Sequence, residues 1–203
     1  MVDVYTVLSN EGLNEGLYSS YLGLVPNFSV GFAILSADTE TPADLNAHAD
    51  IIGDVVLEAL IVTAIEQAAQ NFGGKYQASG INSSITVAYA ELPGLYIDEF
   101  ISNDTDFRAI LAGFLGISSP EDLSTRLYPT QLVNDSGSGS KQAFRAIFQD
   151  TTELADKGTP TCVSWMDLGK WQYGGCGVDE FVFALDANGS AVGVQIPALQ
   201  VDL

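Results

Sequence analysis

Residues 44–72, DLNAHADIIGDVVLEALIVTAIEQAAQNF, carry the clearest alternation of apolar and polar positions in the chain. Apolar side chains recur at Ile51, Val55, Val62, Ile65, Ala69 and Phe72, and a second row runs through Ile52, Val56, Leu60, Ala64 and Ala68. Together the rows form a wide apolar face at helical spacing, with Asp54, Glu58 and Glu66 on a narrow polar side. Thr41-Pro42 precedes the run, Asp44 is placed to cap the open N–H groups, and Gly73-Gly74 supplies a left-handed stop. The pattern predicts one long helix clamped between two layers. The acids inside the Ile51–Ile65 run, and the length of that run, argue against a membrane span.

On either side of this helix the period shortens. Val2–Leu8, Leu17–Leu24 and Val30–Leu35 read as strands from their β-branched and alternating content, with Ser9–Gly16 a polar loop and Pro26-Asn27-Phe28 a turn. After Gly73 the pattern predicts strands at Lys75–Ala78, Ser84–Ala90, Leu95–Ile101, Ser124–Leu132, Ala143–Asp150, Thr161–Met166, Glu180–Leu185 and Ala191–Ile196. It places a short helix at Asp106–Leu115 and a flexible glycine–serine loop at Ser136–Ser140. Asp186-Ala187-Asn188-Gly189 is a hairpin-turn signal, because Asn and Gly accept positive φ. The class is α+β. Three antiparallel strands and a packing helix occupy residues 1–72, and about eight strands forming a closed or nearly closed antiparallel barrel occupy residues 73–203. Three strands offer too little area to cover so apolar a helix, which predicts that further strands come from elsewhere.

Composition narrows the function classes. Seven basic against 26 acidic side chains give a formal charge of −19. A polyanion of that size is repelled by phosphate backbones and anionic headgroups, which argues against nucleic-acid and membrane partners. With 47% hydrophobic residues the chain is nonetheless a folding one. The single histidine, His48, rules out multi-histidine metal sites and leaves a Ser–His mechanism dependent on one helix-start residue. No cofactor or metal motif is present.

Two features point to an exported protein. Asn27-Phe-Ser, Asn82-Ser-Ser, Asn103-Asp-Thr, Asn134-Asp-Ser and Asn188-Gly-Ser are glycosylation sequons, drawn from only nine asparagines. Cys162 and Cys176, separated by a turn-rich segment, suit a small disulfide loop in an oxidising compartment; the alternatives are two free buried thiols or a weak metal pair, the latter disfavoured by the lack of His or further Cys nearby. Met1–Tyr5 opens on a strand-like run with neither a basic nor an apolar leader region. A secreted composition without a leader is the expectation for part of a longer secreted polypeptide.

Several segments together resemble one family. Tyr18–Leu35, YSSYLGLVPNFSVGFAIL, resembles a strand pair late in the sheet of fungal β-lactamase-like serine hydrolases, within the class C β-lactamase and penicillin-binding-protein superfamily. The long helix resembles that domain's C-terminal packing helix. FGGKY (Phe72–Tyr76), LSTRLYPTQL (Leu123–Leu132), AFRAIF (Ala143–Phe148) and YGGCGVDEFVFALDANGSAVGVQIPAL (Tyr173–Leu199) resemble the β-barrel domain appended to those enzymes. The resemblance implies a partial transpeptidase-like layer followed by a lipocalin-like barrel. It also implies a parent that cleaves an amide, ester or lactone through an acyl-serine intermediate. The family's nucleophile lies in Ser-x-x-Lys at a buried helix start, where the lysine helps remove the serine proton. Here the pattern occurs only as Ser138-Gly-Ser-Lys141 in a glycine–serine loop. Tyr-x-Asn has no counterpart. Where Lys/His-Ser/Thr-Gly belongs, the chain has Tyr5-Thr-Val-Leu-Ser-Asn-Glu-Gly. No catalytic residue is therefore assigned. The expected partners are the N-terminal part of the parent hydrolase or a second copy.

Trp165, Trp171 and Tyr173 flank the cysteine pair among glycines. They read either as an aromatic ligand platform at a barrel mouth or as rings shielding a disulfide. Asp98, Glu99, Asp104 and Asp106 lack the spacing that gathers oxygens around calcium. Asp179 and Glu180, read as strand neighbours, point to opposite faces and do not act on one bond.

Overall fold

A computed structural model of the chain describes residues 8–11, 18–37, 39, 44–89, 94–136, 139–152 and 166–203. The chain divides into two compact units, Met1–Ala64 and Ile65–Leu203, so the division falls within the long helix.

In the first unit, β1 (Leu8–Glu11), β2 (Tyr18–Val25) and β3 (Val30–Ala37) form an antiparallel sheet in the order β1-β2-β3. β2 and β3 are joined by a 3-10 turn at Pro26–Phe28, whose last residue leads into Ser29 at φ 54°. Gly23 makes room in β2 for the Phe32 ring, on which a Cβ would fall and which stacks against Tyr21 at 6.1 Å. The polar Ser9-Asn10-Glu11, expected as loop, is strand: Ser9 pairs with Gly23, Asn10 with Leu22 and Glu11 with Tyr21. Backbone pairing to an existing strand needs no favourable side chains, so context overrides local propensity. The strand expected over Val2–Leu8 lies, apart from Leu8, outside the described residues.

Helix α1 runs over Asn46–Phe72. Asp44 Oδ1 accepts the Asn46 N–H at 3.0 Å, one residue-pair outside the helix, which is the capping role its position suggested. Leu45 and Ala49 are buried at this end. Further along, Ile51, Val55 and Val62 are exposed, the first at 65%. The expected clamp between two layers is therefore absent over that row among the described residues.

The second unit begins with the last turns of α1. Its strands are β4 (Gly74–Gln77), β5 (Ser84–Tyr89), β6 (Leu95–Ser102), β7 (Thr105–Asp106), β8 (Leu123–Ser136), β9 (Gly139–Asp150), β10 (Gln172–Tyr173), β11 (Cys176–Gly177), β12 (Glu180–Leu185), β13 (Ala191–Ile196) and β14 (Val201–Asp202), with α2 at Phe107–Leu115. All but β10 and β11 belong to one nine-stranded antiparallel sheet, ordered β14-β13-β12-β9-β8-β6-β5-β4 with β7 on β6. The class is α+β, and the sheet is mostly hairpins between chain neighbours.

The sheet curls on a core of rings. Phe72 at the end of α1 packs edge-on against Phe144 of β9 at 4.8 Å and Phe183 of β12 at 5.3 Å. Tyr76 of β4 meets the same Phe183 at 5.8 Å. Strands far apart in the pairing order thus contribute to one cluster, which only a curled sheet permits. A bulge in β6 serves the same core. Thr86 pairs with Glu99 and Val87 with Ile97, leaving Asp98 as the extra residue, so Ile97 and Phe100 both point inward despite their odd spacing.

α2 covers a satellite core of Leu111, Ala112, Ile117 and Leu123. Asp106 caps it by accepting the N–H groups of Arg108 and Ala109, and Gly116 at φ 76° ends it. Arg108 ties α2 to its surroundings: its guanidinium donates to the carbonyls of Asp98, Pro120 and Leu123 at 2.7–3.1 Å and to the Tyr96 hydroxyl. Asp186 accepts the N–H groups of Asn188 and Ser190 in the β12–β13 turn, and those bonds hold its carboxyl below the usual range.

The Tyr76 hydroxyl donates to the Phe72 carbonyl at 2.8 Å, satisfying one of the carbonyls that α1 leaves open at its end. Burial pushes the Tyr76 phenol up from its ordinary value. A raised folded-state value stabilises below the unfolded phenol value, about 10, and that stability is lost as pH rises through the folded value. Tyr76→Phe is expected to cost about 1 kcal/mol near neutral pH by removing one hydrogen bond from a buried carbonyl. It is also expected to remove part of the alkaline fall in stability, and urea unfolding of both proteins between neutral pH and pH ~11 checks both outcomes.

Candidate functional site

The aromatic residues singled out in the sequence fall on and beside a small hairpin in the second unit. β10 and β11 pair Gln172 with Gly177 and Tyr173 with Cys176. Gly174 at φ 61° and Gly175 at φ 85° make the turn, a pair of positive φ values that matches the twist of a tight hairpin. Trp171, at its start, packs edge-on against Phe114 of α2, with ring centroids 4.6 Å apart at 83°. Lys170 Nζ lies 4.8 Å from the Trp171 centroid and 2.9 Å from Asp167 Oδ1. Phe114 is 63% exposed and Tyr173 68%. Ile110, one helical turn before Phe114, is exposed too, as are Met166 and Leu168. Trp165 and Cys162 lie outside the described residues, as do the disulfide and the third ring of the platform that depend on them. Cys176 is half-buried on β11.

What holds this hairpin is a buried carboxylate. Asp179 sits in the turn after β11, and its Oδ2 accepts from Arg145 Nη1 at 3.0 Å and from the Gly169 N–H at 3.2 Å. Its Oδ1 is buried without a partner among the described residues. Gly177 leaves room for the ion pair: a Cβ there would fall on Asp179 Oδ1 and 2.9 Å from Arg145 Nη1, so one of the two would have to shift. Arg145 also lies 3.9 Å from Glu180. The two carboxylates expected to diverge thus reach one guanidinium. Strand alternation does not govern Asp179, since it lies in a turn and not in β12. The sequence carried a signal for this: Arg145 interrupts an apolar strand, Ala143–Phe148, and needs an acid nearby.

Chemically, the arrangement offers a stacking face and a rigid support. The described residues bring no serine, cysteine or histidine into hydrogen-bond reach of an acid or base at this platform. Lys141 of the Ser138-Gly-Ser-Lys141 pattern is in strand β9, opposite Asn134 and Ala184, and Ser138 is outside the described residues. The four acids weighed for calcium do separate jobs. Glu99 binds Lys75 at 2.7 Å, and that bond lowers its pKa. Asp104 accepts from Asn82, Asp106 caps α2, and Asp98 is exposed. His48 is an exposed residue of the first turn of α1. Among the described residues no three His, Cys, Asp or Glu side chains are placed to hold a metal ion, and no helix is long and apolar enough to cross a membrane.

A second surface feature lies on the β8–β9 hairpin. Pro129 pairs with Phe144 and Val133 with Gln142, so Thr130, Gln131 and Leu132 stand opposite Ala143 alone. Gln131 takes φ 61°, and the Thr130 hydroxyl donates to the Ala143 carbonyl at 2.9 Å. Beyond the bulge the strands pair to Ser136 and Gly139, so the glycine–serine stretch expected as a loop is mostly strand. Of the sequons, Asn82, Asn103, Asn134 and Asn188 are exposed, and Asn27 lies in the 3-10 turn after β2.

A family model described as "Beta-lactamase-like-like, C-terminal domain" matches residues 64–203. Searches of curated proteins and of solved structures gave no match.

Asp179→Ala is expected to cost about 1–3 kcal/mol, less than for a fully buried pair because Arg145 is partly exposed. Gly177→Ala is expected to cost about as much, by forcing a methyl into the ion pair. Urea unfolding measures both, and an unchanged midpoint for Asp179→Ala would remove the carboxylate from its anchoring role.

Proposed function

The chain belongs to the β-lactamase-like C-terminal domain family, and from that premise we propose that it is the non-catalytic C-terminal part of a secreted, fungal-type β-lactamase-like serine hydrolase. The parent cleaves an amide, ester or lactone through an acyl-serine. The nucleophile comes from an upstream domain, and this chain completes that domain's sheet and walls its cleft. The first unit is then the end of a transpeptidase-like layer, and the nine-stranded sheet is the accessory, lipocalin-like barrel. In the exported protein Cys162 pairs with Cys176, and the sequons at Asn27, Asn82, Asn103, Asn134 and Asn188 are the sites open to glycans.

The observation that carries this reading is the uncovered apolar surface of the first unit. Leu35 on β3 is 81% exposed, and Ile51, Val55 and Val62 stand exposed on α1. Covering a side chain of this kind stabilises by about 1.5–3 kcal/mol, so several of them exposed on one unit favour a covering partner. The family gives that partner a chemistry: the strands and helices of the catalytic layer. Self-association through the same residues is the rival outcome of a test.

A second reading rests on the exposed rings of Phe114 and Tyr173 and the half-buried Trp171, with Trp165 from the same segment. A stand-alone secreted binding protein would use them to stack on a sugar or a flat apolar ligand. A saturable change in tryptophan fluorescence with such a ligand, lost in Trp171→Ala, would favour it over the hydrolase reading.

Two outcomes are expected of the leading reading. A fluorophosphonate probe labels no residue of the isolated chain, and stoichiometric acylation would overturn the non-catalytic assignment. Co-expressed with the upstream part of a β-lactamase-like hydrolase, the chain copurifies with it. Val55→Glu weakens that association at least tenfold, about 1.4 kcal/mol, while leaving the thermal unfolding of the isolated chain unchanged. A stable monomer indifferent to both would count against it.

A further inference from the structure

We propose that Asn134 carries an N-linked glycan whose first sugars lie in the apolar groove beside the β8 bulge, and that this glycan is the groove's native cover. The inference rests on export, part of the reading above, and not on hydrolase parentage.

The groove holds about 320 Å³ and is lined by Leu132, Val133, Asn134, Lys141 and Val182, with Gln131 and Ala143 at the bulge. Its volume is at the small end of what bound small molecules fill, about 300–1,000 Å³. The bulge makes it: three residues against one turn Leu132 and Val133 outward, leaving them 70% and 53% exposed. Two exposed aliphatic side chains beside the half-buried Val182 make an apolar strip that a covering group would stabilise.

The sequence places a covering group on the wall itself. Asn134-Asp-Ser is a sequon, and Asn134 contributes to the groove lining. Its exposed amide has no partner among the described residues. Asn82 differs, since its Nδ2 donates to Asp104 Oδ1 at 2.6 Å and a glycan there must displace that bond. Asn103 and Asn188 lie in turns and are not part of this groove's lining. Sugar rings present C–H faces that pack on aliphatic side chains, and hydroxyls that reach polar groups such as the Lys141 ammonium and the Gln131 amide. Attachment through Asn134 makes the contact intramolecular, so weak stacking suffices to keep the groove filled.

The test uses the full chain, secreted from a eukaryotic host behind that host's own leader, so that the parent's native location does not enter. Peptide mass spectrometry reads occupancy at each sequon, and hydroxyl-radical footprinting reads the accessibility of Leu132 and Val133. Asn134 is expected to be occupied. Labelling of both residues should rise several-fold in Ser136→Ala, which destroys the sequon while keeping Asn134, and equally in Asn134→Gln. Asn188→Gln should leave it unchanged. Matching thermal unfolding shows that the variants remain folded. An empty Asn134 in molecules glycosylated elsewhere overturns the proposal, as does a chain bearing no glycan at all. So does an occupied Asn134 whose loss leaves the labelling of Leu132 and Val133 unaltered.

Discussion

Tyr76 on β4 and Phe183 on β12 are distant in the strand order, yet their rings meet at 5.8 Å, and the curl of the large sheet depends on that meeting. Phe72 and Phe144 complete the contact, each within 5.3 Å of Phe183. Edge-on ring pairs of this kind contribute about 0.5–1.5 kcal/mol beyond the apolar area they bury. Their direction matters as much as their strength. They join the end of a helix, the first strand of the sheet and two later strands into one core, so the sheet cannot flatten without breaking them. The Tyr76 hydroxyl adds a polar lock, since it closes the end of α1 from inside the same cluster.

Much of this was legible in the amino-acid pattern. Strands β12 and β13 coincide with the expected Glu180–Leu185 and Ala191–Ile196, because clean alternation and an Asp-Ala-Asn-Gly turn leave little freedom. α1 and α2 were legible through their periodicity and caps. Bulges were not. A bulge is set by how two strands settle against each other, and the extra residue, Asp98 or Thr130–Leu132, carries no mark of its own. β1 was misread for a related reason: its pairing lies in the backbone of β2, not in its own side chains.

The candidate site was legible in part. Trp171 and Tyr173 do share one hairpin, but Phe114 and Lys170, which contact Trp171, belong to a helix and a turn whose approach is a tertiary fact. Asp179 was assigned to a strand face, and its real role follows from lying one residue before that strand. The absence of a complete catalytic motif, by contrast, is a property of sequence alone.

The three-against-one bulge in β8 has a consequence for how this hairpin can change over time. A single-residue insertion in a strand reverses the facing of every residue beyond it. Here β8 spends two residues more than β9 at Thr130–Leu132, an even surplus, so facing is kept as the strands continue to Ser136 and Gly139. The stretch beyond it therefore keeps the inward and outward phase set by the ring core, whose member on β9 is Phe144. A change of two residues at this point leaves the outer hairpin's two faces as they are, whereas one residue more or fewer would exchange them.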